Sequence, residues 1–208
     1  MAEDFLLKEY ELCFQQLRFY DEREESILKY TFGLVSAVAT ALFAVYKYLQ
    51  ESSTPFPFEA FAALSSLLFL ITLLLFLAAV SNRYYFVKAA RQVNAIRKHF
   101  LEKSDWEDPF GFGTAKNRMW KDPDWKFLNY QSLHTYIIGG VAVISSLFAG
   151  AAMFAIEARP KCRWIAATIG FVDALLGEAA LGIWQLSKED VLKYKIPKPT
   201  RAPQATPH

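Results

Sequence analysis

Two carboxylic acids stand out because they interrupt an apolar run. Asp173 and Glu178 lie in residues 164–184, WIAATIGFVDALLGEAALGIW, which are otherwise almost entirely hydrophobic or small. Twenty residues separate Trp164 from Trp184, or about 30 Å of helix, which matches the hydrocarbon core of a bilayer. Tryptophan favours both membrane interfaces. Because an unsheltered acid is costly in lipid, we expect neighbouring helices to cover both side chains.

The two acids are predicted to lie on different faces of one helix. Asp173 is nine residues from Trp164, which places it about 14 Å deep, near the centre of the membrane. Glu178 follows five residues later, and five steps of about 100° leave about 140° between the two side chains. Small residues accompany each acid, which is typical of close helix packing in membranes. We expect one face to contact its own bundle and the other a neighbouring subunit or a polar cavity.

Three interpretations of these acids remain open. They could be protonated, or hydrogen-bonded to hydroxyl groups on neighbouring helices, and so fasten helices together. They could line a pore, or they could couple protons or substrate in a small transporter. Apart from Lys29 at the end of the first span, the predicted spans contain no Lys or Arg, so no basic residue at membrane depth could pair with either acid. The candidate hydroxyl partners are Thr40, Ser145, Ser146 and Thr168, and His134, at the mouth of another span, is a candidate member of an ion path.

Three further apolar runs predict an all-α membrane protein with four transmembrane helices. The predicted spans are residues 27–46, 60–80, 136–156 and 164–184, with a loop over residues 48–59. The predicted parts are an N-terminal amphipathic cytosolic helix (1–26), a first transmembrane hairpin (27–81), a cytosolic helix with a Trp-rich loop (82–133), a second transmembrane hairpin (134–186) and a largely disordered cytosolic tail (187–208). The short turn 157–163 makes the last two spans an antiparallel hairpin.

Two amphipathic segments outside the spans each have an apolar stripe to bury. One is the N-terminal helix, and the other is a cytosolic extension of the second span. The stripes, at three- and four-residue spacing, are Leu6, Tyr10, Cys13, Leu17 and Tyr20, and Phe86, Ala89, Val93, Ile96 and Phe100. We expect these two helices to pair with each other, within or between subunits.

The Trp-rich loop over residues 104–132 contains three of the five tryptophans, Trp106, Trp120 and Trp125. A loop of this length is usually functional or disordered, and its aromatic content argues against disorder. It is interpreted as an interfacial loop or as a docking surface for a soluble partner. A divalent-cation site is a weaker alternative, since its acids match no EF-hand spacing.

The distribution of basic residues predicts the topology. With both termini in the cytoplasm, 19 of the 23 basic residues lie on that side, as the positive-inside rule requires. Three of the four exceptions, Arg159, Lys161 and Arg163, crowd into one turn. An acidic start makes a cleaved signal peptide improbable. The expected location is the plasma (inner) membrane, crossed several times.

The sequence argues against an enzyme. The histidines, His99, His134 and His208, have no ligand-like spacing with cysteines or acids, and no metal, cofactor or nucleic-acid motif is present. The predicted topology places Cys13 and Cys162 on opposite sides of the membrane, which excludes a disulfide.

The predicted function is that of a homo-oligomeric, channel-like or partner-gated membrane effector, with the lipid bilayer and further copies of the chain as partners. A cytosolic protein is a further candidate partner. Two alternatives remain: a sensor or scaffold that recruits a soluble partner through residues 104–132, and a small proton- or ion-coupled transporter that uses Asp173 and Glu178.

Overall fold

The protein is all-helical over the residues that the computed structural model describes, which are 2–52, 56–103, 132–157 and 159–191. These ranges contain four α-helices, each long and apolar enough to cross a membrane, which confirms the predicted all-helical class with four candidate spans. They are α1 (Ala2–Ser52), α2 (Phe58–Lys103), α3 (Leu133–Ile156) and α4 (Arg163–Val191), with a short 3₁₀ helix, Pro160–Cys162, before α4.

The first two helices are longer than the predicted spans because each continues without a break into its amphipathic segment. α1 has 51 residues and α2 has 46. The predicted loop over residues 48–59 was too long, since α1 continues to Ser52 and α2 already begins at Phe58. Pro57 lies directly before α2, where a proline is tolerated because the first helical turn needs no N–H from it.

The amphipathic halves of α1 and α2 form an antiparallel pair within one chain, as the two apolar stripes predicted. The Arg97 guanidinium donates a hydrogen bond of 2.6 Å to the Tyr10 hydroxyl. Farther along the pair, the Asn82 amide donates to the Tyr20 carbonyl at 2.8 Å. The stripe residue Cys13 is buried between them, with 2% of its surface exposed.

α3 and α4 form the predicted antiparallel hairpin, and glycines let their backbones approach closely. A Cβ atom on Gly150 would lie 2.9 Å from the Ala167 carbonyl oxygen. A Cβ atom on Gly170 would lie 2.5 Å from Cγ of Met153. Any larger side chain at these two positions therefore separates the helices.

The core lies where all four helices meet, near the junction between the apolar and amphipathic halves of α1 and α2. It contains Ile27, Phe76, Val80, Val141 and Leu186, one or two residues from each helix. α2 is central and contacts the other three helices, whereas α1 and α4 do not touch each other within the described ranges. Beyond Thr31, most of α1 is exposed.

Candidate functional site

The two acids of α4 have opposite environments, as their predicted separation of about 140° requires. Glu178 is buried, with 2% of its surface exposed, whereas Asp173 is exposed. The Glu178 face of α4 packs against the bundle, because Gly182, one turn later, lies against Phe76 and Val80 of α2. No described residue of this chain covers the other face of α4.

The Glu178 carboxyl group lies inside the bundle opposite Ser145 of α3, which is fully buried. The Ser145 hydroxyl is close enough to interact with this carboxyl group. Neither carboxyl oxygen of Glu178 nor the Ser145 hydroxyl completes a well-aligned hydrogen bond with another described side chain or backbone group. Two polar groups that face each other without aligned partners are unusual in a protein interior, where buried polar atoms are almost always satisfied.

Asp173 lies half-way along the exposed face of α4, among large apolar residues. Its neighbours Val172 and Leu176 are exposed, as is Gly177, which would have open space around an added Cβ atom. No described residue of the same chain covers this carboxyl group. The expectation that both acids are sheltered is therefore met within one chain for Glu178 only.

A third polar group lies where α1, α2 and α3 meet, and we call it the junction cluster. It consists of Asp21 and Glu24 of α1, Asn82 and Arg83 of α2, and His134 of α3. Nε2 of His134 lies 2.7 Å from the nearer Glu24 carboxyl oxygen and 3.6 Å from that of Asp21. The imidazole lies against the ring of Phe86 in a tilted arrangement, with the ring centres 4.6 Å apart.

Burial sets the electrostatics of the junction cluster. Glu24 is 7% exposed and Arg83 is 2% exposed. Burial lowers the pKa of the Arg83 guanidinium, and the nearby Glu24 carboxylate opposes this shift. Burial also raises the pKa of the more exposed Asp21; Glu24 raises it further, and His134 acts in the opposite direction. A buried guanidinium beside a buried carboxylate is a charge pair that ties α2 to α1.

The junction cluster includes three groups of a kind that binds metal ions. One ligand atom each from Asp21, Glu24 and His134 lies within 4.8 Å of the other two. Imidazole and carboxylate ligands suit zinc and similar ions. However, the buried Arg83 already supplies a positive charge to Glu24, which disfavours a divalent cation at the same carboxylate.

Comparison with known protein families, with curated proteins and with solved structures found no match. The function of this chain is therefore inferred from its own side chains.

The structure brings only some of the predicted site residues together. His134 joins the junction cluster but is eleven residues, or about 16 Å of helix, from Ser145 and hence far from Glu178. Trp106, Trp120 and Trp125 lie outside the described residues, as does the tail from residue 192. The remaining members of the junction cluster were not predicted to be functional.

A sequence signal for the missing members exists in the apolar stripes. The stripe of α1 continues beyond Tyr20 in steps of four and three to Glu24 and Ile27, and both are buried. In α2, Arg83 lies three residues before Phe86 and Asn82 lies four residues before it, so both continue the stripe of that helix. A charged residue at a stripe position indicates a buried polar contact.

The opposite end of the bundle is apolar. A pocket of about 480 Å³ lies between the start of α2, the end of α3 and the start of α4, and aromatic residues such as Phe61, Phe154 and Phe171 line it. Beside it, the Arg163 guanidinium lies 3.8 Å from the ring centre of Phe58 and donates to the Glu157 carbonyl. The Arg163 guanidinium is thus held by its own neighbours.

Proposed function

We propose that this chain is a multipass plasma-membrane protein, with both termini in the cytoplasm, that assembles into a homo-oligomeric, cation-conducting, channel-like effector. The four apolar helices would span the bilayer, and the paired amphipathic halves of α1 and α2 would form a cytosolic layer. The positive-inside rule supports this orientation, since most basic residues lie in the segments that it places in the cytoplasm.

The observation that carries the proposal is the exposure of Asp173 near the middle of α4. In a lone copy within a bilayer, this side chain would face lipid, at a cost on the order of 3 kcal/mol or more. Acids at this depth normally face other helices or a water-filled cavity. Since no described part of the chain covers Asp173, a second copy or a hydrated space between copies is the economical solution.

A second uncovered surface, on α1, is suited to helix association. Gly33 and the small residues that follow it at helical spacing are exposed, and an added Cβ atom on Gly33 would meet nothing within 4 Å. This small-residue face of α1 consists of Gly33, Ala37, Thr40, Ala41 and Ala44. Such faces allow helices to pack closely in lipid. Together with Gly177 beside Asp173, they give each copy two surfaces for contact with neighbours.

A ring of Asp173 carboxylates around a common axis would select cations. Rings of acidic side chains are a recurring source of cation selectivity in pores. Four spans per copy are too few for a conventional carrier built from internal repeats, so an assembly of copies is the more natural pathway.

Ion flux through proteoliposomes tests the proposal. The purified protein should conduct cations in preference to anions, and Asp173→Asn should reduce the flux or abolish this preference. Glu178→Gln is the matched control on the buried face of the same helix and should preserve both. Two results together would favour the scaffold alternative instead. The wild-type oligomer would conduct no ions, and it would capture a partner protein that is lost when Trp106, Trp120 and Trp125 become Ala.

A further inference from the structure

The pair Glu178 and Ser145 forms a polar site that the proposed pore does not use. Both side chains are buried, with 2% and 0% of their surfaces exposed, and they face each other from α4 and α3. In the described part of the chain, neither has a well-aligned hydrogen-bond partner. A buried carboxyl group of this kind needs either a positive partner or a proton.

The described helices packed against Glu178 provide no charged partner. α2 carries no titratable residue from Ala60 to Asn82, and α3 carries only Tyr136 between Thr135 and Ile156. Ser145, whose hydroxyl interacts with the carboxyl group, is uncharged. On α4 itself, Asp173 lies on the opposite face. An ionised Glu178 would therefore be an isolated buried charge, the costliest state available to it.

A proton fits this site better than a metal cation does. A protonated carboxyl group has one donor and remaining acceptor capacity, and a serine hydroxyl can accept that hydrogen bond. An alkali cation would need a shell of several oxygen atoms. The site offers two side chains, and most backbone carbonyls around it are already bonded within their helices.

We propose that Glu178 and Ser145 form a proton-binding site inside the bundle, in which the Glu178 carboxyl group holds an exchangeable proton and donates it as a hydrogen bond to the Ser145 hydroxyl. The site is formed within one chain, so it does not depend on assembly or on ion conduction. It also gives the chain an element that a proton-coupled transporter would require.

Infrared difference spectroscopy of the full-length protein in lipid nanodiscs tests the protonation directly. The spectrum of the wild type minus that of Glu178→Gln should show the carbonyl band of a protonated carboxylic acid at neutral pH. The band should weaken as the pH is raised, because the protonated fraction falls about tenfold per pH unit above the midpoint. A carboxylate band in its place at neutral pH would overturn the proposal.

Two neighbouring serines provide a matched pair of variants. Ser145→Ala should shift the band and its pH midpoint, since it removes the hydrogen-bond acceptor. Ser146→Ala should leave both unchanged, because the Ser146 hydroxyl already donates to the Ala142 carbonyl at 2.8 Å. Equal effects of the two variants would show that Ser145 is not part of the site.

Sodium distinguishes the proton from a metal cation. Replacing potassium by sodium or by choline in the buffer should leave the protonated band and its midpoint unchanged. A sodium-dependent loss of the band would show that a metal cation displaces the proton, which contradicts a proton site. Glu178→Gln should also keep the thermal stability of the wild type, since a neutral amide replaces a neutral acid; a large loss would indicate an ionised, paired Glu178.

Discussion

Nε2 of His134 lies 2.7 Å from the nearer carboxyl oxygen of Glu24, and this contact joins the start of α3 to the middle of α1. The two residues are 110 positions apart, and Arg83 of α2 is the third charged group beside them. The junction cluster therefore connects three helices beside the core residues Ile27 and Phe86. In the proposed orientation it lies at the cytoplasmic mouth of the bundle.

Removing the Glu24 carboxylate should destabilise the fold strongly. Glu24→Ala leaves the buried Arg83 without this compensating charge, and breaking a buried pair on one side typically costs about 3 kcal/mol or more. Chemical unfolding in mixed micelles measures this cost. Arg83→Met combined with Glu24→Ala should recover part of it, whereas strictly additive losses would show that the two groups are not coupled.

Glu25→Ala is the matched control for this experiment. Glu25 is the next residue of α1, but it is exposed and pairs with Lys29 at the surface. Because exposed pairs contribute little, the variant should unfold at the same denaturant concentration as the wild type.

Asp21 should make the stability depend on pH. Burial raises the pKa of the Asp21 carboxyl group above its ordinary value, so the folded protein binds this proton more tightly than the unfolded chain does. The contribution of Asp21 is therefore complete at low pH and is lost as the pH rises from about 4 through the folded pKa. Over this pH range the free energy of unfolding of the wild type should therefore fall relative to that of Asp21→Asn. A rise in the free energy of unfolding of the wild type relative to the variant would contradict a raised pKa for Asp21.

The helices and their pairing were predictable because they depend on local pattern. The apolar runs and the two stripes follow the 3.6-residue period of a helix, and only one partner stripe was available to each amphipathic segment. The short turn 157–163 likewise indicated a hairpin, in which Gly150 of α3 and Gly170 of α4 make close contacts. The loop between α1 and α2 was overestimated because helix boundaries are weakly encoded.

The junction cluster was not predicted because its members come from three helices and share no local spacing. Glu24 was not among the predicted site residues, although its stripe position places it in the core. The opposite environments of Asp173 and Glu178 followed from helical geometry. Which of the two acids would be buried depended on the side of α4 that packs on α2 and α3, and the α4 sequence alone does not decide that side.

A matched pair of glycines in α3 tests the packing of the hairpin. In Gly150→Ala the new methyl group would lie 2.9 Å from a backbone oxygen of Ala167, and such overpacking costs about 1 to 3 kcal/mol. In Gly139→Ala the methyl group meets nothing within 4 Å, so the variant should be neutral or gain up to about 1 kcal/mol from helix propensity. Thermal unfolding in detergent compares the two, and equal effects would contradict the described contact.

The two cysteines should differ sharply in reactivity and in sidedness. Cys13 is buried between α1 and α2, and burial together with the nearby Glu9 raises the pKa of its thiol, which slows alkylation. Cys162 is partly exposed in the turn before α4. A membrane-impermeant maleimide added to intact cells should label Cys162, whereas Cys13 should need both permeabilisation and unfolding. Labelling of Cys13 before Cys162 would contradict the topology and the helix pairing.

We expect further copies of this chain to cover the exposed face of α4 around Asp173. Native mass spectrometry of the detergent-purified protein tests it most directly, with Gly33→Leu and Gly177→Leu as variants that obstruct the two uncovered faces. We expect one closed oligomer for the wild type and a shift toward monomers for the variants. A wild-type protein that stays strictly monomeric in detergent and in nanodiscs would contradict it.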